Sequence, residues 1–379
     1  MNSAYSLYIR RKLGIGSSLS YKLHSMTPLI IVMLITMVLV FSLTFILSIS
    51  SAIERAIIYL GSGEIYSSES LKGKENVISS DLVRKGQGII YFEGGESLIY
   101  LKGVESDYFN EERRSVLDID ITSIGKNEIA ISSTLSDDVN LKKGDKLTLL
   151  LYESDKNRTR PYLMTVSSVF DSGYQELDRY LAFVDISLLE REEGGYETIL
   201  EDSSSLDETV KALKENGIEA ESYKLLYSSI YENVRASVSI LYVIFAAIAF
   251  LAAFFSSDVA RVYIDRDRKD IGAMLLFGTP RNALIRIYHK LTVTYIFIAA
   301  LLGSFFGIFL SLRIPSLVAF VAKEHSSFLD YYISSFSVKV PYSSILVIIL
   351  LVVVVSSLSL LFSLSRLLPR DIDALVKGE

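Results

Sequence analysis

Four stretches of about twenty residues, at 29–50, 237–257, 291–312 and 343–364, contain no charged side chain at all. At 1.5 Å per residue, about 20 apolar residues cross the hydrocarbon core of a bilayer. Each stretch is therefore expected to be a membrane-spanning helix. The chain is half hydrophobic, with a mean hydropathy of +0.37, too apolar for an average soluble domain. The first stretch is longer than the roughly 7–15 apolar residues of a cleaved signal and begins late, so it reads as an uncleaved span. No ionisable residue lies inside any of the four, which argues against an ion or proton pathway.

Charge is segregated along the chain. Residues 51–235 hold 35 acidic and 21 basic side chains, whereas bases exceed acids elsewhere, although the net charge is −6. Basic loops beside spans mark the cytoplasmic side. Residues 1–28 (Arg10, Arg11, Lys12 and Lys22, with no acid) are expected to be a cytoplasmic amphipathic segment. The order that follows is a span at 29–50, an acidic domain outside at 51–236, and a second span at 237–257. A cytoplasmic loop at 258–290 leads to the third span (291–312). An outer loop at 313–342 carries Tyr331 and Tyr332, and the fourth span (343–364) precedes a cytoplasmic tail at 365–379. The expected fold class is a membrane protein with four transmembrane α-helices and a large mixed α/β extracytoplasmic domain inserted between helices 1 and 2. Its basic residues are not concentrated on one folded face, which argues against nucleic acid as a partner.

The outer domain reads as short strands and helices. Strands are expected at 89–92 and 98–101, joined through Glu93-Gly94-Gly95-Glu96, and at 127–132, 146–152, 162–170 and 218–223. Thr134 and Asp137 suggest an N-capped helix, and Ser205-Leu206-Asp207-Glu208 a capping box. A helix at 225–235 is expected to run into the second span. In the third span, Gly303 and Gly307 are four apart, a spacing that lets helix backbones approach in lipid, within one subunit or between two.

The loop at 261–290 concentrates seven bases against three acids. Ile271, Met274 and Leu275 form one apolar stripe at helical spacing, and Gly278, Thr279 and Pro280 end that helix. On composition alone this is either a topology-setting basic loop or a helix that docks on a cytoplasmic protein.

The run Lys269-Asp270-Ile271-Gly272-Ala273-Met274-Leu275, followed by Phe277-Gly278-Thr279-Pro280, resembles the signature of FtsX-like ABC permeases, with Asp270 where Glu is more usual. The pattern 128–132 with Leu135, then Leu141-Lys142-Lys143-Gly144-Asp145-Lys146-Leu147, resembles the MacB-like periplasmic core of the same permeases. The stretch from Val166 to Phe183 is similar to the lipoprotein-releasing (LolC/LolE type) branch. The resemblance implies a transport subunit, not an enzyme, in a bacterial inner membrane, with no cofactor of its own: a partner ABC ATPase dimer would bind ATP and Mg. Arg266, Arg268, Lys269, Asp270, Ile271, Met274, Leu275 and Gly278 would couple to that ATPase. Further implied partners are a second permease subunit (identical or different), membrane lipid, a lipoprotein substrate and a periplasmic lipoprotein carrier. In some members of the lipoprotein-releasing branch the insertion at this place forms a hook for the carrier; here, at 153–161 with Lys156, Arg158 and Arg160, it is short, which implies the partner subunit that lacks a full hook, and a solvated hairpin tip is the other reading. MacB-like mechanotransmission in efflux and FtsX-like regulation of cell-wall hydrolases share the same architecture.

Catalytic signatures are missing from the sequence. It has no GxxxxGK[ST] loop to cradle phosphate, no HExxH and no nucleophile elbow. With no cysteine, thiolate chemistry and disulfides are excluded, and the three histidines show no metal-ligand spacing.

Overall fold

The computed structural model describes residues 19–153, 158–313 and 338–367, and these divide into two compact units. The N-terminal basic segment, Tyr331, Tyr332 and most of the C-terminal tail lie outside the described residues.

The first unit contains α9 (Arg281–Leu312), α10 (Tyr342–Leu367) and most of two further long helices, α1 (Leu19–Ala56) as far as Leu47 and α7 (Ser228–Arg266) from Ser237. A short helix, α8 (Arg268–Leu276), stands between α7 and α9. All four long helices are long and apolar enough to cross a membrane. Their apolar windows are only 22–33% buried. The remaining area is a leucine-, valine- and phenylalanine-rich outer surface that water would not tolerate and lipid would.

The inner contacts of this unit use small residues. A side chain at Gly307 would place its Cβ 2.8 Å from the Met37 carbonyl oxygen, and one at Gly303 would sit 3.0 Å from Thr36 Cβ. The Gly303/Gly307 pair therefore packs α9 on α1 of the same chain, which decides between the two readings of that motif. Ser304 and Ser311 donate back to the carbonyls of Ala300 and Gly307, and Thr36 to that of Val32. Between helices, Ser257 Oγ lies 2.6 Å from Ser359 Oγ and His289 Nε2 2.9 Å from Ser357 Oγ. Such hydrogen bonds hold helices together where no hydrophobic difference from lipid can do so.

The second unit is built on a nine-stranded sheet. Its strands are β1 (Ile65–Ser67), β2 (Val77–Phe92), β3 (Gly95–Val104), β4 (Glu128–Ser132) and β5 (Lys146–Glu153). They continue with β6 (Arg158–Phe170), β7 (Leu181–Asp185), β8 (Gly194–Leu200) and β9 (Ala220–Ser222). The order is β3-β7-β4-β6-β5-β2-β8-β1-β9, and β3 also pairs with β2. Six strands therefore close on themselves, and β8, β1 and β9 extend outward from β2. Alternation sends Ile90, Ile99, Leu101, Ile129, Leu149 and Val166 into one buried cluster inside the ring. Closure leaves those six strands without the exposed edges that invite mispairing. The helix α3 (Ser133–Val139) adds Leu135 and Val139 to that interior. On the outside of the wall, α2 (Glu111–Leu117) contributes Leu117 to a second cluster with Tyr108, Phe170 and Phe183.

Several local expectations change. The strand expected at 89–92 is the end of a 16-residue β2, because Lys85, Gln87 and the glycines between them hide its alternation. The hairpin turn is just Glu93-Gly94, since Phe92 pairs with Gly95. The cap of α3 is Ser132, whose side chain accepts from the Leu135 amide, not Thr134. The capping box at Ser205 is not formed. Its hydroxyl donates to the Asp202 carbonyl and accepts from Asn76 Nδ2, which pulls it away from the start of α5 (Leu206–Glu215). Gly217, at φ +81, ends α5 as expected. A four-residue α4 (Gln175–Asp178) and α6 (Tyr223–Leu226) complete the unit.

Candidate functional site

The residues expected to couple to an ATPase gather on α8 and its flanks. Ile271 is 1% exposed and packs in a cluster with Leu284 and Tyr288, while Met274 and Leu275 are half-buried against it. The helix is seated at its start by Asp267, which accepts a 2.7 Å hydrogen bond from the Tyr288 hydroxyl and whose carbonyl takes the Ile271 amide. At the other end, the amides of Gly278 and Thr279 reach back to the carbonyls of Leu275 and Met274. That pair of bonds with Gly278 at φ +84 is a Schellman closure, and it requires a residue without a Cβ penalty at 278. Pro280 then precedes α9, which Arg281 ties to the Ser365 carbonyl at the end of α10.

With one face fixed, the other is presented outward. Arg268 and Lys269 are exposed, Leu276 is 65% exposed and Phe277 is 91% exposed. Arg266 ends α7 and Asp270 lies in the first turn of α8. Two cations thus stand at the start of the clamped helix and a bare phenylalanine at its end, residue types that serve as interface anchors. Phe277 and the Asp267–Tyr288 bond were not picked out from the sequence. The stripe 271/274/275 did contain the signal for Phe277, because residues just past its C-terminal end project away from the buried face.

The basic residues at 153–161 are arranged differently from a nine-residue loop. Arg158 and Arg160 belong to β6, paired with Glu153 and Leu151. Residues 154–157, Lys156 among them, lie outside the described residues. The Arg160 guanidinium stands 5.1 Å from the Tyr162 ring centroid.

The sheet unit carries a buried ionic group that the sequence did not announce. Lys102 on β3 and Glu197 on β8 are 1% and 0% exposed and 2.7 Å apart. The Lys102 ammonium also donates to the carbonyls of Leu60 (2.8 Å) and Gly61 (3.5 Å), at the end of the π-helical turn Ile57–Ser62 that follows α1. The Tyr108 hydroxyl donates to Glu197 at 3.0 Å, and Arg113 pairs with Asp81 at 2.6 Å while lying 4.0 Å from the Tyr108 ring centroid. Burial lowers the Lys102 ammonium to about 8, against the raising effect of Glu197. Burial, reinforced by Glu197, pushes Tyr108 well up. Nearby, Tyr223 donates to Glu54 and Tyr59 to Glu112. This group fastens the π-helical turn to the sheet.

Residues 238–372, which include all of α8 and its closing turn, match the FtsX-like permease C-terminal family. No curated protein matches the chain. Among solved structures, the extracellular domain of the noncanonic ABC-type transporter YknZ from Gram-positive bacteria is similar, with 15% identity and a TM-score of 0.27. That match covers 40% of this chain and 84% of the other. Residues 238–372 are thus similar to the C-terminal domain of FtsX-like permeases.

Proposed function

We propose that this chain is the permease subunit of an ABC transporter in a bacterial inner membrane, and that it releases lipoproteins toward a periplasmic carrier. A separate ATPase dimer, which binds ATP and Mg, drives it, and a second permease subunit completes the membrane part. The reading is carried by the surface around α8: Arg268, Lys269, Leu276 and Phe277 project from a helix held at both ends. Force applied to Phe277 would pass through Ile271 and the Asp267–Tyr288 bond into α7 and α9 without loss in a slack loop. The cargo assignment rests on the sequence likeness to lipoprotein-releasing permeases. Each buried CH₂ is worth about 0.8 kcal/mol, so pulling acyl chains from a bilayer needs such a coupled energy source.

Two measurements test it. Phe277→Asp should leave the protein in the membrane yet abolish copurification of the ATPase. Retention of an ATPase that still responds to substrate would refute the coupling role. Depletion of the chain should leave lipoproteins in the inner membrane, and unchanged sorting would remove the cargo assignment.

Mechanotransmission is the second reading, favoured by α7, a single 39-residue helix about 58 Å long. It predicts altered drug or peptide resistance on depletion, with lipoproteins sorted normally.

A further inference from the structure

The outer wall of the six-strand ring is covered over part of its area and bare over the rest. Tyr108, Phe109 and Leu117 roof the part near Phe170 and Phe183. Across β3, β2, β5 and β6, the register sets Leu98, Ile89, Leu150 and Pro161 side by side in one row. Leu98 is 52% exposed, and Leu163 and Tyr100, beside the row, are 63% and 47% exposed. The solvated face of an antiparallel sheet is ordinarily polar. An apolar row there marks a surface that binds something.

The row floors a cavity of about 550 Å³, whose other boundaries include Tyr100, Lys85 and Glu192. A second cavity of about 400 Å³, among Leu60, Leu177, Leu181 and Tyr227, has Lys102 in its lining. The two share Lys85, Gly86 and Tyr100, and so form one trough. Both volumes lie in the range of small-molecule sites, which are mostly apolar with a few placed polar groups. Lys102 is already neutralised by Glu197. Lys85, at the junction, makes no ion pair among the described residues and stands 4.8 Å from the Tyr66 ring centroid. The trough thus has an apolar arm and, at its midpoint, a cation without an ion pair, with Glu192 also in the lining.

We propose that this trough binds a single-chain anionic amphiphile, with the acyl chain along Leu98, Ile89 and Leu150 and the headgroup at Lys85. The site is a property of the sheet unit and stands whether or not lipoproteins are the cargo.

The full-length protein in nanodiscs, exposed to a photoactivatable diazirine palmitate, provides the test. Mass spectrometry of labelled peptides should show saturable labelling within 85–100 and 146–163, competed by unlabelled palmitate but not by dodecylamine. Leu98→Asp, at an exposed position, should lower that labelling roughly tenfold, about the loss of two buried methylenes. Labelling of the spans should be unchanged and serves as the folding control. Lys85→Glu should weaken the sheet labelling and Glu192→Gln should strengthen it. Labelling confined to the spans, indifference to Leu98→Asp, or equal competition by dodecylamine would overturn the proposal. So would protection of a cysteine probe at 98 by a second copy of the chain, since the wall would then be a protein interface.

Discussion

The two units solve the burial problem in opposite ways. In the helical unit much of the apolar side-chain area faces outward, and α9 approaches α1 closely at glycine, as at Gly307 beside Met37. In the sheet unit large apolar side chains fill the ring, and a fully buried charge pair, Lys102 and Glu197, lies outside it. The solvent makes the difference. Lipid gives apolar groups no reason to leave the surface, so helix contact must come from close approach and hydrogen bonds. Water drives the same groups inward, and a buried charge is then tolerated only with a partner.

The sharpest way to break this contrast is Lys102→Met. It leaves Glu197 buried without its cation and the Leu60 carbonyl without its donor. A loss of about 3–5 kcal/mol is expected, read by pulse proteolysis of the sheet unit in the full-length protein. Adding Glu197→Gln should recover much of it. A single variant as stable as the parent would show that the pair is not closed to water.

The matching change in the helical unit is Gly307→Leu. It forces four carbons against Met37 and Val40 and should destabilise α1–α9 packing by about 1–3 kcal/mol. Detergent-resistance melts would record this as a lower midpoint with the sheet unit unaffected. Indifference would mean that the two helices can separate without consequence.

A smaller, directional effect comes from pH. Lys102 is held at about 8 in the folded protein, below the 10.5 of the unfolded chain. Between those values the unfolded chain binds more protons, so unfolding free energy rises with pH through this group. Below pH 8 both states are protonated, and the cost of burying the cation is fully present. The attraction of Glu197 is already contained in that value and limits the size of the gain. The difference in pulse-proteolysis stability between parent and Lys102→Met should therefore vary across pH 8–10.5 and level off outside it. A constant difference throughout would contradict the assignment.

Local patterns were legible where neighbours in sequence make the structure. The four long helices follow from runs without charge, the α8 stripe from Ile271, Met274 and Leu275, and the end of α8 from Gly278 and Pro280. The capping box at Ser205 misled because Asn76, more than a hundred residues away, takes its hydroxyl. Strand β8 was missed for a related reason: Glu197 on it looks like a solvated acid until Lys102 is placed beside it.

By itself, then, the order of residues determined where the helices lie, which face of α8 is apolar and where that helix must stop. These depend on contacts within about one helical turn, or on the absence of charge over twenty residues. Only the tertiary structure decided that six strands close into a ring and that Gly303 and Gly307 meet α1 of the same chain. It also decided that Lys102 finds Glu197, that Phe277 stands bare, and that Leu98, Ile89 and Leu150 share one row. Each of these is set by pairing between distant segments, whose register is a property of the assembled sheet or bundle and of no segment alone.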